Sequence, residues 1–499
     1  VNPRFFRFFA AVYQSPAIHD LYPSNLRFSN SLISQIFQFP MTWQLIKEAI
    51  LGKEQDFTSL PLKTAIFVLA IPMILEMMME SAFAIVDIFF VSKLGEYAVA
   101  TVGLTEAVIV LTYAVGFGIS MAATALISRR FGEKEYTEAG TATFQLILVG
   151  GLVSVMMGVG GWVFAADLLR VMGAEESVVI SGTNYAKIVF LGNTPIMLLF
   201  LINGAFRGAG QAHLAMRSLW IANGLNIILD PILIFGLGSW DGFGLDGAAI
   251  ATTFGRAMGV VYQVYHLMNG KHKLKILREN IQVKWETIRK IIDLSLGGMG
   301  QFLIDSVSWV ALTRMNAEFG SAALAGYTIA FRVLMFTILP AWGLSGAAAT
   351  LVGQNLGAGE IDRAEKAVWL TARYNVIFMA SVTGIYLLFN QQFASIFTDI
   401  PEVRDVAAQG LWVIVLGYIF FAIGMVLTQA FNGAGDTRTP AWINIGVLLC
   451  MEVPLAYFLA FPMGMEYLGI FIAIAICHSF HALVSLYFFR KGRWKTMRV

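Results

Sequence analysis

Three acids sit in an otherwise apolar stretch from Ile71 to Gly95, IPMILEMMMESAFAIVDIFFVSKLG: Glu76, Glu80 and Asp87. At about 100° per residue, separations of four and eleven bring all three within about 40° of one another, a single stripe on a helix. A second polar stripe follows at Asn223, Asn226 and Asp230, just before Pro231. A carboxylate with a carboxamide one turn away can hold a proton or Na⁺. The amide oxygen coordinates the cation, and the amide N–H steadies the ionised acid. Pro231 frees a backbone carbonyl one turn earlier. The competing readings are an Asp87 near the aqueous end of its helix, and Asn–Asp pairs that serve only as glue between helices.

Nothing else in the chain is laid out for making or breaking bonds. There is no HExxH, GxSxG or His–acid constellation at a membrane face, so no catalytic residues are expected. No GxxxxGK[ST] phosphate loop is present, which leaves an ion gradient as the energy source and no cofactor beyond H⁺ or Na⁺. His478 and His481 are three residues apart, but further metal ligands are missing, so core packing is expected and no metal site. Cys450 and Cys477 lie in apolar runs and suggest no disulfide framework. The glycine-rich stretch from Gly236 to Gly247 reads as an exterior turn.

Acids on such a stripe need a membrane protein to carry them. The 499 residues are 57% hydrophobic and only 13% charged, with 47 glycines and a mean hydropathy of +0.70. That composition lies outside the range of soluble globular domains. Buried charge in a bilayer costs roughly 2.5–3.5 kcal/mol on insertion scales, so the acid stripe reads as the wall of an ion or substrate path. The Met77-Met78-Met79 run suits an adaptable apolar pocket, or simply lipid and core. No basic patch interleaved with aromatics points to nucleic acid.

Residues 1–40 are aromatic, irregular and unlike the rest, a possible non-native extension; residues 41–58 suit an amphipathic helix on the membrane surface. Twelve apolar segments follow, centred near residues 77, 112, 152, 192, 224, 257, 303, 336, 378, 416, 449 and 477. They divide into a first six-span lobe (59–270), a basic linker (271–290), a second six-span lobe (291–490) and a basic tail (491–499). Seven Lys/Arg fall between Asn269 and Asp293, while the loops Gly238–Asp246 and Phe461–Leu468 have none. By the positive-inside rule both termini are cytoplasmic.

An internal repeat runs at an offset of 225 residues: Phe206-Arg-Gly-Ala-Gly210 returns as Phe431-Asn-Gly-Ala-Gly435, and Leu94-Gly95 as Phe319-Gly320. Six spans per repeat make the halves parallel, with a substrate cleft expected at their interface. At this offset Glu76 corresponds to Gln301 and Glu80 to Asp305. Glu452, before Pro454, is the shifted relative of Asp230. These five, Glu76, Glu80, Gln301, Asp305 and Glu452, are the expected cleft residues, and Asp87, Asn226 and Asp230 the expected cation-coupling site.

Together these segments resemble the multidrug and toxic compound extrusion (MATE) transporters over about residues 60–490. The resemblance rests on Val86-Asp87 through Leu94-Gly95, Phe206 to Gly210, Asn226 to Pro231, Gly247 to Thr252, Leu351 to Gly359 and Asn432 to Pro440. It implies an all-α integral membrane protein, twelve transmembrane helices in two pseudo-symmetric six-helix lobes around a central cleft. It also implies export of amphipathic organic cations in exchange for H⁺ or Na⁺. Asp87, Asn226 and Asp230 resemble the amino-terminal-lobe cation site of prokaryotic members, and Pro72 the proline where their first helix bends. Asp305 resembles an acid on span seven used by another subgroup, whose span-ten acid has no counterpart between Leu411 and Phe431.

The expected protein is therefore a multi-pass antiporter of the cytoplasmic membrane, monomeric, with small cationic substrates and the lipid bilayer as partners. A flippase for a lipid-linked precursor is the alternative. Its anionic cargo calls for clustered buried Arg or Lys, whereas Arg256, Arg314 and Arg332 are scattered singly. An intramembrane enzyme is the more distant one.

Overall fold

In a bilayer each backbone N–H and C=O has to be satisfied within its own segment, so apolar runs of about 20 residues become helices. A computed structural model describes residues 43–52 and 55–497, and all its named elements are helical. The extension expected over residues 1–40 lies outside the described residues. Among the described residues, nine helices, with one bent pair as a tenth, are long and apolar enough to cross a membrane. Two further helices, of 24 and 33 residues, complete the twelve.

Spans one to six are Leu62–Ser92, Glu96–Gly132, Tyr136–Val163, Glu176–Gly208, Ala212–Phe235 and Leu245–Met268. Spans seven to nine are Trp285–Ala317, Ser321–Gly357 and Ile361–Ser395. Span ten is the pair Pro401–Val415 and Tyr418–Ala434, bent by 60°, and spans eleven and twelve are Arg438–Ala460 and Glu466–Arg490. Before them, the short helix Trp43–Leu51 buries Leu45 and Ala49. Its last carbonyls, of Ile50 and Leu51, accept hydrogen bonds from Arg217 at 2.9 and 3.1 Å, a cation at the negative end of the helix.

Three irregularities position side chains. Pro72 lies inside span one, where its missing N–H leaves the Val68 carbonyl without its usual donor. Span ten turns at Gly417, where a methyl group would lie 2.9 Å from the Ala475 carbonyl of span twelve. Span eleven is a π-helix from Ile445 to Glu452. With i→i+5 bonds each turn holds more residues, so side chains drift off the face that a 3.6-residue period assigns them.

The two halves pack crosswise, span two on span seven and span eight on span one. Glycines make the approach possible: a methyl group on Gly118 would lie 2.6 Å from the Ser295 carbonyl, and one on Gly343 would lie 2.7 Å from that of Met73. Among the described residues, the hydrogen bonds joining the halves all lie at the end rich in Arg and Lys. Thr350 and Gln354 donate to the Arg207 and Gly208 carbonyls, each at 2.9 Å. Arg129 donates to the carbonyls of Ala434 at 3.4 Å and Met497 at 2.8 Å. Midway along the bundle Phe117 of the first half stacks on Phe302 and Trp342 of the second, at ring distances of 5.1 and 6.1 Å.

Candidate functional site

Span one directs its acid stripe at spans four, five and six, and each acid meets a different partner. Glu76 is 2% exposed. Its Oε1 accepts from Asn203 at 3.1 Å and pairs with Arg207 at 3.6 Å. Asn203 Oδ1 accepts in turn from Ser218 at 2.9 Å and Gln263 at 2.7 Å. A connected network of this kind, away from water, fixes helix register.

Glu80 receives two nitrogens of Arg256, at 2.8 and 3.3 Å, and Asn223 Nδ2 at 2.9 Å. Arg256 also lies 5.0 Å from the centre of the Phe83 ring. The fork geometry and the ring together hold this guanidinium in the lobe interior. Glu76 and Glu80, the expected cleft residues, each carry a counter-charge: Glu76 is buried beside Arg207, and Glu80, whose side chain stays 28% exposed, is paired with Arg256. The in-span arginine that reads as an isolated charge in the sequence is that counter-charge.

Asp87 differs. Its carboxyl lies against that of Asp230, which is fully buried. Asn226 Nδ2 donates to Asp230 Oδ1 at 3.2 Å and to Thr252 Oγ1 at 2.9 Å. Asp230 Oδ2 and Asn226 Oδ1 are buried without a donor. Two carboxyls in contact cannot both be bare anions in low dielectric, so they share a proton or hold a cation. The donor set is all oxygen, which suits either. Glu106 of span two, exposed, is near enough to Asp87 for the two charges to repel. Spacing placed Asp87, Asn226 and Asp230 on two faces; packing of span one against span five brings them together. Pro72 lies four turns away toward the basic end, beside the crossing with span eight at Gly343.

In the second half a cavity of about 290 Å³ opens among spans seven, eight, ten, eleven and twelve. Asp305 and Glu452 line it, with Gln301 also on its wall. Gln301 is tied to Asn432 Oδ1 at 3.0 Å and the Thr437 carbonyl at 2.9 Å, so its amide is committed to structure. Asp305 accepts from Asn444 at 2.8 Å, and Asn444 Oδ1 meets His481 Nε2 at 3.0 Å. Glu452 Oε2 accepts from Ser308 at 2.8 Å, while Oε1 has only His478 Nε2 at 3.8 Å.

Both histidines line the cavity, and His481 is buried there against Asn444, in keeping with the packing expected of it. The overlooked signal was the repeat itself: at the offset of 225, His481 occupies the position of Arg256 and Asp305 that of Glu80. Among the described residues no cluster of three or more His, Cys, Asp and Glu side chains is arranged to hold a metal.

The MatE family model matches residues 72–232 and 299–458, one copy in each half of the chain. A Bacillus subtilis protein named "Probable multidrug resistance protein YoeA" is 25% identical over 433 residues, covering 86% of this chain and 93% of the relative. The multidrug export protein MepA of Staphylococcus aureus is 23% identical over 86% of this chain and 94% of its own. A solved structure described as the outward-facing conformation of a multidrug resistance MATE family transporter superposes with a TM-score of 0.83. It is 25% identical and covers 89% of this chain and all of that one.

Proposed function

This chain belongs to the MatE family, and from that premise we propose that it exports cationic amphipathic compounds across the cytoplasmic membrane in exchange for H⁺ or Na⁺. The observation that carries the coupling is the Asp87–Asp230 contact beside Asn226. Of the four acids that spans one and five contribute to this lobe, these two have no cation bound to them, since Arg207 and Arg256 serve Glu76 and Glu80. A pair that is stable only when occupied is a two-state element. Occupancy lets span one bend at Pro72 and narrow the cleft, while cationic cargo favours the empty, charged pair. The two ligands then compete through linkage.

The basic end, which the positive-inside rule puts in the cytoplasm with both termini, is the end where the halves are hydrogen-bonded together. That supports an outward-facing state, the conformation in the description of the superposed transporter. The likeness to multidrug exporters supports small organic cargo and a transport cycle without a chemical step. The chain works as a monomer in this scheme, each copy holding both lobes.

The test is uptake of a cationic dye into inverted membrane vesicles under separately imposed H⁺ and Na⁺ gradients. One gradient should drive uptake by the unaltered protein. Asp87→Asn and Asp230→Asn should each abolish it at matched expression, with dye binding still measurable. If Asp305→Asn stops gradient-driven uptake while Asp87→Asn retains it, the coupling site is in the other lobe.

A further inference from the structure

Spans two and eight hold equivalent places in the repeat: Glu96–Gly132 and Ser321–Gly357 are each 37 residues long and differ by the offset of 225 at both ends. They meet across the interface between the halves. At the basic end both are hydrogen-bonded across it, through Arg129 of one and through Thr350 and Gln354 of the other. Farther out Phe117 and Trp342, again an equivalent pair, stack at 6.1 Å. Beyond the rings come Glu106 of span two and Arg332 of span eight, one position from equivalence. Glu106 is eleven residues past Phe117 and Arg332 ten past Trp342, so both stand about 15 Å outward of the stack at about 1.5 Å of rise per residue.

Both side chains are exposed, and among the described residues neither belongs to an ion pair. Of the charges near Glu106, Asp87 repels it and Arg332 attracts it. A charged side chain within a membrane span is tolerable while water reaches it and costly once water is excluded. With the halves joined at the basic end, water reaches both groups. The opposite state of an alternating cleft must bring the outer parts of spans two and eight together. A charge shut in there alone would oppose closure, whereas a carboxylate and a guanidinium at one depth can satisfy each other. The Arg256–Glu80 pair makes a contrast: it joins two helices of one half, so it does not depend on the state of the cleft.

We propose that Glu106 and Arg332 are the outer gate of the transporter, apart and hydrated in this state and paired across the cleft when its outer mouth closes. The proposal rests on the exporter reading above and supplies a contact that holds its second state. A pair formed in one state and broken in the other biases the equilibrium by its strength in the closed form alone. The two residues touch neither the coupling ion nor the cargo in this scheme; they position the halves.

The experiment measures the outer separation directly. Spin labels at Glu96 and Ser321, the exposed and equivalent first residues of the two spans, are placed in the full chain in lipid nanodiscs, with both native cysteines replaced. The unaltered gate should give a long and a short distance. Glu106→Gln and Arg332→Gln each leave one charge to be buried on closure, and each should cut the short population by about fivefold or more. Exchanging the charges, Glu106→Arg with Arg332→Glu, should restore it to within about twofold. The neutral pair, Glu106→Gln with Arg332→Gln, should close better than either single variant, since no charge is left to bury. Gel filtration and melting confirm that each variant is folded.

A short distance missing from the unaltered protein, single variants that leave its population unchanged, or either double variant no better than the single ones overturns the gate. Failure of the exporter reading would look different: the distances follow this pattern while no imposed gradient drives dye uptake into vesicles.

Discussion

Gly132 and Gly357, related by the repeat offset of 225, meet where spans two and eight end. A methyl group on Gly132 would lie 2.0 Å from the Gln354 carbonyl, and one on Gly357 would lie 2.2 Å from that of Arg129. The pseudo-symmetry axis of the bundle therefore passes through a backbone-to-backbone contact that tolerates no side chain.

Gly357→Val should wedge this contact apart and disfavour the state closed at the basic end. Spin labels on the exposed, symmetry-related positions Glu135 and Glu360, with both native cysteines replaced, would report the separation. The distance distribution should lengthen and gradient-driven transport should fall severalfold. An unchanged distribution would mean that closure does not depend on this glycine pair.

Arg256→Met removes the counter-charge of Glu80 and leaves a carboxylate in the lobe interior. The cost should be on the order of 3–5 kcal/mol, seen as faster thermal inactivation in detergent. Adding Glu80→Gln to Arg256→Met should restore much of the stability. Because Glu80 is a member of an ion pair, Glu80→Gln alone should reduce export of charged and neutral cargo to a similar extent. A selective loss of charged cargo would return Glu80 to the cleft wall.

Pro72→Ala restores a donor for the Val68 carbonyl and stiffens span one where it crosses span eight. Turnover should slow by about tenfold with cargo affinity little changed, and the protein should gain stability, since proline inside a helix costs about 3 kcal/mol. Faster or unchanged turnover would remove Pro72 from the transport cycle.

Much of this protein was fixed by its sequence, for reasons that act locally. Apolar length set the twelve helices, because backbone groups in lipid can be satisfied only within the segment. The repeat offset of 225 relates Glu80 to Asp305. Helical period put Asn226 and Asp230 on one face. What periodicity could not assign was the partner across each interface. Glu76, Glu80 and Asp87 are equivalent as a stripe, yet Arg207, Arg256 and Asp230 give them three different chemistries. Those partners come from spans four, six and five, up to 176 residues away in sequence. Glu452 shows the same limit within one helix. The π-helical turns from Ile445 to Glu452 shift its side chain off the face a regular helix would give it. Spacing identifies which residues share a face; only packing decides whether that face meets a counter-charge, another acid or an open cavity, and so whether a buried carboxyl is structural or free to bind.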